Sequence, residues 1–212
     1  MSRVKLDISI SLDGFVAGPD PGPEQGLGEG GEQLHEWIYD LAKWRERHGL
    51  SGGQRSRDDE VLEETLATTG AVVMGRGMFS LGSGPWEDDP NADGWWGDDP
   101  PFKQPVFVLT HHARETVEKQ GGTSFTFVTE GIESAVERAR SAAGEKDVYL
   151  AGGASVAQQA LAAGLLDELQ IHLVPVLLGG GVPLFGAERA ELQCTRVIES
   201  PAVTHIRYSV LR

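Results

Sequence analysis

Two short apolar strands in this chain each end in glycine and run directly into a helix, and this repeated junction limits the fold more than any other feature. The first reads AVVMGRGMFS from Ala71, the second VYLAGGASVAQQAL from Val148. A short run of β-branched and aliphatic residues is the pattern of a strand buried in a sheet. After Gly153, Val156, Ala157, Ala160, Leu161 and Leu165 fall at helical spacing.

The same alternation runs through most of the chain. Val4, Leu6, Ile8 and Ile10 alternate with Lys5, Asp7, Ser9 and Ser11, a period-two strand with one polar face. The stretch DGFVAGPDPGPEQGLGEGG after it is a loop by its glycines and prolines. Leu34, Trp37, Ile38, Leu41 and Trp44 predict a helix, and Asp58 or Asp59 is placed to cap the next, whose buried face includes Val61, Leu62 and Leu66. A second long loop, GSGPWEDDPNADGWWGDDPPFKQ, separates that unit from the strands PVFVLT and SFTFVT. Ile132, Ala135, Val136, Ala139 and Ala143 mark a helix after Gly131. LDELQIHLVPVLLGGG reads as one long strand, and LQCTRVIES and VTHIRYSVLR as a closing antiparallel pair joined near Pro201. The expected class is α/β, with a central mixed sheet, flanking helices and antiparallel strands at the C-terminal edge. Neither glycine-rich loop reads as a linker, so residues 1–212 are expected to form a single domain.

Composition excludes several functions. Of 212 residues, 40% are hydrophobic, enough for a full core. The formal charge of −14 argues against nucleic acid and anionic membrane as partners. It leaves room for an anionic cofactor, because local donors can outweigh a distant net charge. Cys194 is the one cysteine, which removes internal disulfides, multi-cysteine zinc sites and iron–sulfur clusters. The alternating N-terminus is not a signal peptide and no apolar run would span a bilayer, so a soluble cytoplasmic protein is expected.

The two glycine junctions carry the chemistry. Glycine lets backbone amides approach a ligand closely, and a helix start supplies unpaired N–H groups suited to phosphate. Arg76, wedged between Gly75 and Gly77, presents a planar fork of donors; its plainer reading is a salt bridge to one of the many acids. Thr110, His111, His112 and Arg114 form a third polar cluster past a strand, with metal binding the weaker reading of the histidine pair. Gly75 to Ser80 lacks the last glycine of the dinucleotide fingerprint, which disfavours a standard Rossmann site. His172 reads as a satisfied core or interface residue and Cys194 as a half-buried strand residue.

The order SISLDGFVAG, VVMGR, FVLT, LAGGASVAQQAL and LVPVLLGGGVPLF resembles the reductase domain of the bacterial riboflavin-biosynthesis deaminase/reductase, a relative in fold of dihydrofolate reductase. The resemblance runs from about Val4 to the C-terminus. It implies a three-layer dihydrofolate reductase-like fold and an NADPH-dependent oxidoreductase. By that resemblance Gly75, Arg76 and Gly77 take the 2′-phosphate side of NADPH, with Thr110 and His111 completing the adenosine-phosphate pocket. Gly152, Gly153, Ala154, Ser155 and Val156 take the pyrophosphate and nicotinamide side. The closest named reaction is 5-amino-6-(5-phosphoribosylamino)uracil reduction in riboflavin biosynthesis. The alternatives are a dihydrofolate, pterin or other carbonyl reductase, or a nucleotide-binding relative without turnover.

This chain departs from that family in two places. Ala151 stands where the family carries an acid, and Ile8-Ser9-Ile10 where it usually carries a lysine. The deaminase zinc motifs are absent from the sequence. Candidate proton donors are Asp13 and Asp89, then Glu36, Asp40 and Asp88, with water as an alternative; Asp13-Gly14 is also a turn signal. Trp86 and Glu36 are candidate substrate contacts, and Trp86, Trp95 and Trp96 serve equally well as loop anchors. No metal is expected, and the assembly expected is a homodimer, with IHLVPVLL in the interface or in the core.

Overall fold

A computed structural model of the chain describes residues 2–211. In chain order the elements are β1 (Val4–Ser11), β2 (Phe15–Ala17), α1 (Ala42–Arg47), α2 (Arg57–Thr68), β3 (Thr69–Gly75), α3 (Arg76–Ser80), β4 (Pro105–Leu109), β5 (Val117–Glu118), β6 (Ser124–Val128), α4 (Ile132–Ala143), β7 (Asp147–Gly152), α5 (Ala154–Ala162), β8 (Glu168–Val174), β9 (Val182–Pro183), β10 (Glu191–Glu199) and β11 (Thr204–Leu211). Nine strands form one sheet in the order β10-β11-β8-β1-β7-β3-β4-β6-β5, and β2 pairs with β9 apart from it. The strands from β8 through β6 in that order are mutually parallel, while β11, β10 and β5 add antiparallel edges.

Three layers follow from the side-chain pattern. On one face α4 and α5 bury an apolar stripe, Ile132, Ala135, Val136 and Ala139 with Val156, Ala157 and Ala160, against Leu6, Val73, Val148 and Leu150. The small alanines let the helices lie close to the sheet. On the other face Phe79 and Phe102 pack over Val72, Met74, Val106 and Val108 and the β6 side chains Phe125 and Phe127, with Trp86 and Trp96 alongside.

The structure corrects the sequence expectations at several points. The helix expected over Leu34–Trp44 is a 3₁₀ turn at Gly31–Leu34, then reverse turns, then only α1. Successive bonds from His35 to Glu32, Ile38 to His35 and Leu41 to Ile38 close three-residue turns, whose apolar spacing imitates a helix. The cap of α2 is Ser56, whose hydroxyl accepts from the Asp59 amide; Asp59 instead accepts from the Lys43 amide. The expected long strand 166–181 stops at Val174, before Pro175, and resumes only as β9. Cys194 is exposed, not half-buried. The polar face of β1 lies under α2 and Trp37. Thr65 donates to Asp7 at 2.7 Å and Trp37 Nε1 to Ser9 at 3.1 Å.

Candidate active site

In an open parallel sheet, ligands bind outside the carboxyl ends of the strands. Here that edge gathers Gly75 and Arg76 after β3, Thr110 after β4, and Gly152–Gly153 after β7. These strands are adjacent, with Gly75 opposite Leu109 and Met74 opposite Gly152. The two glycine junctions touch: a Cβ built on Gly75 would lie 3.2 Å from Val156 Cγ2, and one on Gly152 3.5 Å from Met78 Sδ. Gly152 sits at φ +121° and joins Gly153 by a cis peptide bond. A Cβ on Gly153 would meet nothing within 4 Å, so the backbone there faces open space. Gly153 caps α5 without a side-chain acceptor, and its carbonyl takes the Val156 and Ala157 amides, which leaves those of Ala154 and Ser155 available. Ser155 is exposed and its hydroxyl accepts from Gln159.

Arg76 is placed differently from a free guanidinium. It is buried, and Nε donates to Ser80 Oγ at 2.8 Å while Nη2 pairs with Asp89 Oδ2. The Ser80 hydroxyl donates to the same Asp89 oxygen at 2.7 Å, and the Asn91 amide bonds the other oxygen. The guanidinium carbon lies 3.2 Å from the centre of the Trp86 ring. Arg76 Nη1 is buried and has no acceptor. Arg114 also lies over Trp86, at 4.9 Å, and pairs with Asp93. The plainer reading of Arg76, a bond to a nearby acid, therefore holds for one of its nitrogens.

The remaining candidates fall into separate places. Thr110 is buried, its amide bonded to the Val128 carbonyl; His111 beside it is exposed. Asp89 is spent on Arg76 and Ser80. Burial alone would raise its pKa, but the bonds from Ser80 and Arg76 outweigh that and keep it below the ordinary carboxylate value. Asp13 accepts from Ser11 Oγ at 2.6 Å and from the amides of Leu178 and Gly179, and the Ser11 bond leads the causes that lower its pKa. It acts as the turn residue that ties the end of β1 to the loop before β9. Both carboxylates are held as acceptors at neutral pH. Glu36, Asp40 and Asp88 are exposed; Glu36 and Asp40 lie before α1, and Asp88 precedes the Asp89 that pairs with Arg76. Trp86 donates to the His112 carbonyl, and Trp95 stacks on Trp96 at 3.9 Å while donating to the Met78 carbonyl. These rings anchor the 81–104 loop. Among the described residues no cluster of three or more histidine, cysteine, aspartate or glutamate side chains could hold a metal ion.

His172 is a satisfied core residue, as its apolar context implied, but the sequence did not reveal the buried polar row under α2 to which it belongs. Asp7 Oδ1 lies 2.7 Å from His172 Nε2, His172 Nδ1 lies 2.6 Å from His205 Nδ1, and His205 Nε2 lies 2.9 Å from Asp58 Oδ1. His172 and His205 are register partners across β8 and β11, and Trp37 packs on both rings. The one signal was the period-two placement of Asp7 and His172 within apolar strands.

The RibD C-terminal domain family matches residues 2–206. This chain belongs to that family. Among curated relatives, the uncharacterized protein YyaP of Bacillus subtilis is 25% identical over 194 residues, covering 86% of this chain and 80% of YyaP. A crystal structure from Shewanella sp. PV-4, provisionally assigned to riboflavin biosynthesis, superposes with a TM-score of 0.63 at 24% identity over the whole of both chains. The deaminase/5-amino-6-(5-phosphoribosylamino)uracil reductase of Thermotoga maritima superposes at 0.57 with 14% identity, over 99% of this chain and 57% of that one. The mixed sheet with flanking helices is thus the fold of these reductase-type structures. The RibD family chain described here spans little more than half of the bifunctional enzyme. Among the described residues no helix is long and apolar enough to cross a membrane.

Proposed function

We propose that the chain is an NADPH-dependent reductase that acts on a small heterocyclic or sugar-like substrate, with the aminouracil ribosyl phosphate reduction of riboflavin biosynthesis the closest reaction. Membership of the RibD C-terminal domain family supports an oxidoreductase. The observation that carries the coenzyme assignment is the convergence of two glycine–helix junctions and a buried arginine with an unpartnered nitrogen at one sheet edge. An orphaned buried N–H group is costly, and a ligand oxygen would satisfy it. Gly152, Gly153, Ala154, Ser155 and Val156 would hold the diphosphate of NADPH, and Gly75, Arg76, Gly77, Thr110 and His111 its adenosine phosphate.

The coenzyme, when bound, supplies the hydride; the chain supplies position and charge. The open amides at the start of α5 favour an anion. The Trp86 ring holds the Arg76 guanidinium flat and out of water. Asp13 and Asp89 are both committed acceptors, so the proton is assigned to water. Ala151 and Ile8-Ser9-Ile10 leave the substrate side without the family's acid and lysine, which favours a substrate other than the aminouracil. We assign the assembly as a homodimer; the strand part of IHLVPVLL, in β8, is paired on both sides and buried as core, so the face proposed to join the copies is the apolar one of β10 and β11.

Calorimetric titration with NADPH and NADH tests the coenzyme assignment. NADPH is expected to bind, and Arg76→Ala to weaken it by roughly 10- to 100-fold with little change for NADH, since a charge-assisted bond contributes about 1.5–3 kcal/mol. Failure to bind either coenzyme removes the reading. An NADPH-oxidation screen over the aminouracil ribosyl phosphate, dihydrofolate and simple ketones then identifies the substrate class.

A further inference from the structure

We propose that Asp89 sets the discrimination between phosphorylated and unphosphorylated nicotinamide coenzymes, by holding a carboxylate on the guanidinium that a ribose phosphate would otherwise take; the inference rests on the coenzyme reading above. The Arg76 and Asp89 side chains are 7% and 3% exposed, so this ion pair is sequestered from water. It is held on all sides. Ser80 donates to the carboxylate and accepts from Arg76 Nε, the Asn91 amide fixes the second carboxylate oxygen, and Trp86 covers the guanidinium face. Gly82 makes room for the carboxylate, since a Cβ there would lie 2.4 Å from Asp89 Oδ2.

The charge count in this corner is decisive. Two guanidinium groups lie over Trp86, and each is already matched by a carboxylate, Arg76 by Asp89 and Arg114 by Asp93. The corner therefore offers hydrogen-bond donors without surplus positive charge. A doubly charged ribose phosphate that reaches Arg76 Nη1 meets the Asp89 carboxylate across one guanidinium and must either displace it or bear the repulsion. In a poorly hydrated site that like-charge cost is large. A coenzyme with a free ribose hydroxyl incurs none of it. Asp89 thus narrows the preference for the phosphorylated coenzyme that Arg76 creates.

The test is calorimetric titration of NADPH and NADH against the full chain, Asp89→Asn and Arg76→Ala. Asp89→Asn keeps an oxygen for Arg76 and Ser80, removes the charge, and replaces the oxygen that accepts from the Asn91 amide with an NH2 group. The expected result is NADPH binding tightened by about tenfold, with NADH changed by less than about twofold. An NADPH-to-NADH affinity ratio equal to or below that of the unaltered protein overturns the inference while leaving the coenzyme reading intact. If Arg76→Ala leaves NADPH affinity unchanged, or neither coenzyme binds any of the three proteins, the coenzyme reading fails and this inference fails with it. Should Asp89→Asn lose cooperative thermal unfolding, Asp89→Ser is read in its place with the same expected direction.

Discussion

Gly181 shows how a single residue fixes a loop. Its φ is +121°, and a Cβ built on it would lie 2.1 Å from the Ala17 carbonyl oxygen. Any side chain there is strained and collides with backbone. Gly181→Ala is expected to cost about 1–3 kcal/mol, read as a lowered urea midpoint at unchanged m. The sequence marked this position only as the glycine-rich end of a strand. Close approach between Gly181 and Ala17 is a contact across distant chain segments, and composition does not encode it. Arg76 divides in the same way. Its place at a strand end before a helix was legible from VVMGRG. Its partner Asp89 comes from an irregular loop whose geometry is set by Trp86, Trp95 and Trp96, and no periodicity leads to it.

At the scale of elements, the row beneath α2 fixes a proton count. Its three contacts, Asp7 to His172, His172 to His205 and His205 to Asp58, each require one hydrogen. His205 is held below the ordinary imidazole value by burial first and then by the neighbouring His172, against the pull of Asp58. Folded His205 therefore resists a proton that the unfolded chain accepts near pH 6.5. Protons then favour the unfolded state as pH falls, and stability is lost below about pH 6.5. Burial would raise the pKa of Asp7, but the charge and hydrogen bond of His172 more than offset this, so a further loss follows below about pH 3.9. Urea midpoints measured from pH 8 down to about pH 2 are expected to fall in that order, and His205→Gln to remove the first phase. Asp7→Asn, which strands a buried charge, is expected to cost roughly 3–5 kcal/mol. Periodicity made the strands and helices of β1, β3, β4, β6, β7, α4 and α5 legible. It failed for β2, β5 and β9, which are two or three residues long, and for the 34–44 turns, whose spacing matches a helix by coincidence.

At the scale of the whole molecule, the sheet ends at β10 with apolar side chains uncovered. Register pairs Leu192 with Val210, Cys194 with Tyr208 and Val197 with Ile206, and the irregularity between Cys194 and Arg196 brings Val197 onto the same face. Leu192 and Val197 are 39% and 59% exposed there. If that face pairs two copies, Leu192→Asp with Val197→Asp converts a dimer to a monomer on sedimentation at micromolar concentration while leaving the unfolding cooperative. A monomer already present in the unaltered protein would refute the assignment. The order of chain entry into the sheet carries one more consequence. Asp7 and its imidazole partner lie 165 positions apart, and the strand that closes over that partner comes later still. When the chain folds, β1 must keep its carboxylate hydrated until β8 and β11 have docked beside it. Completion of this sheet is thus governed by capture of the β10–β11 hairpin rather than by growth outward from β1.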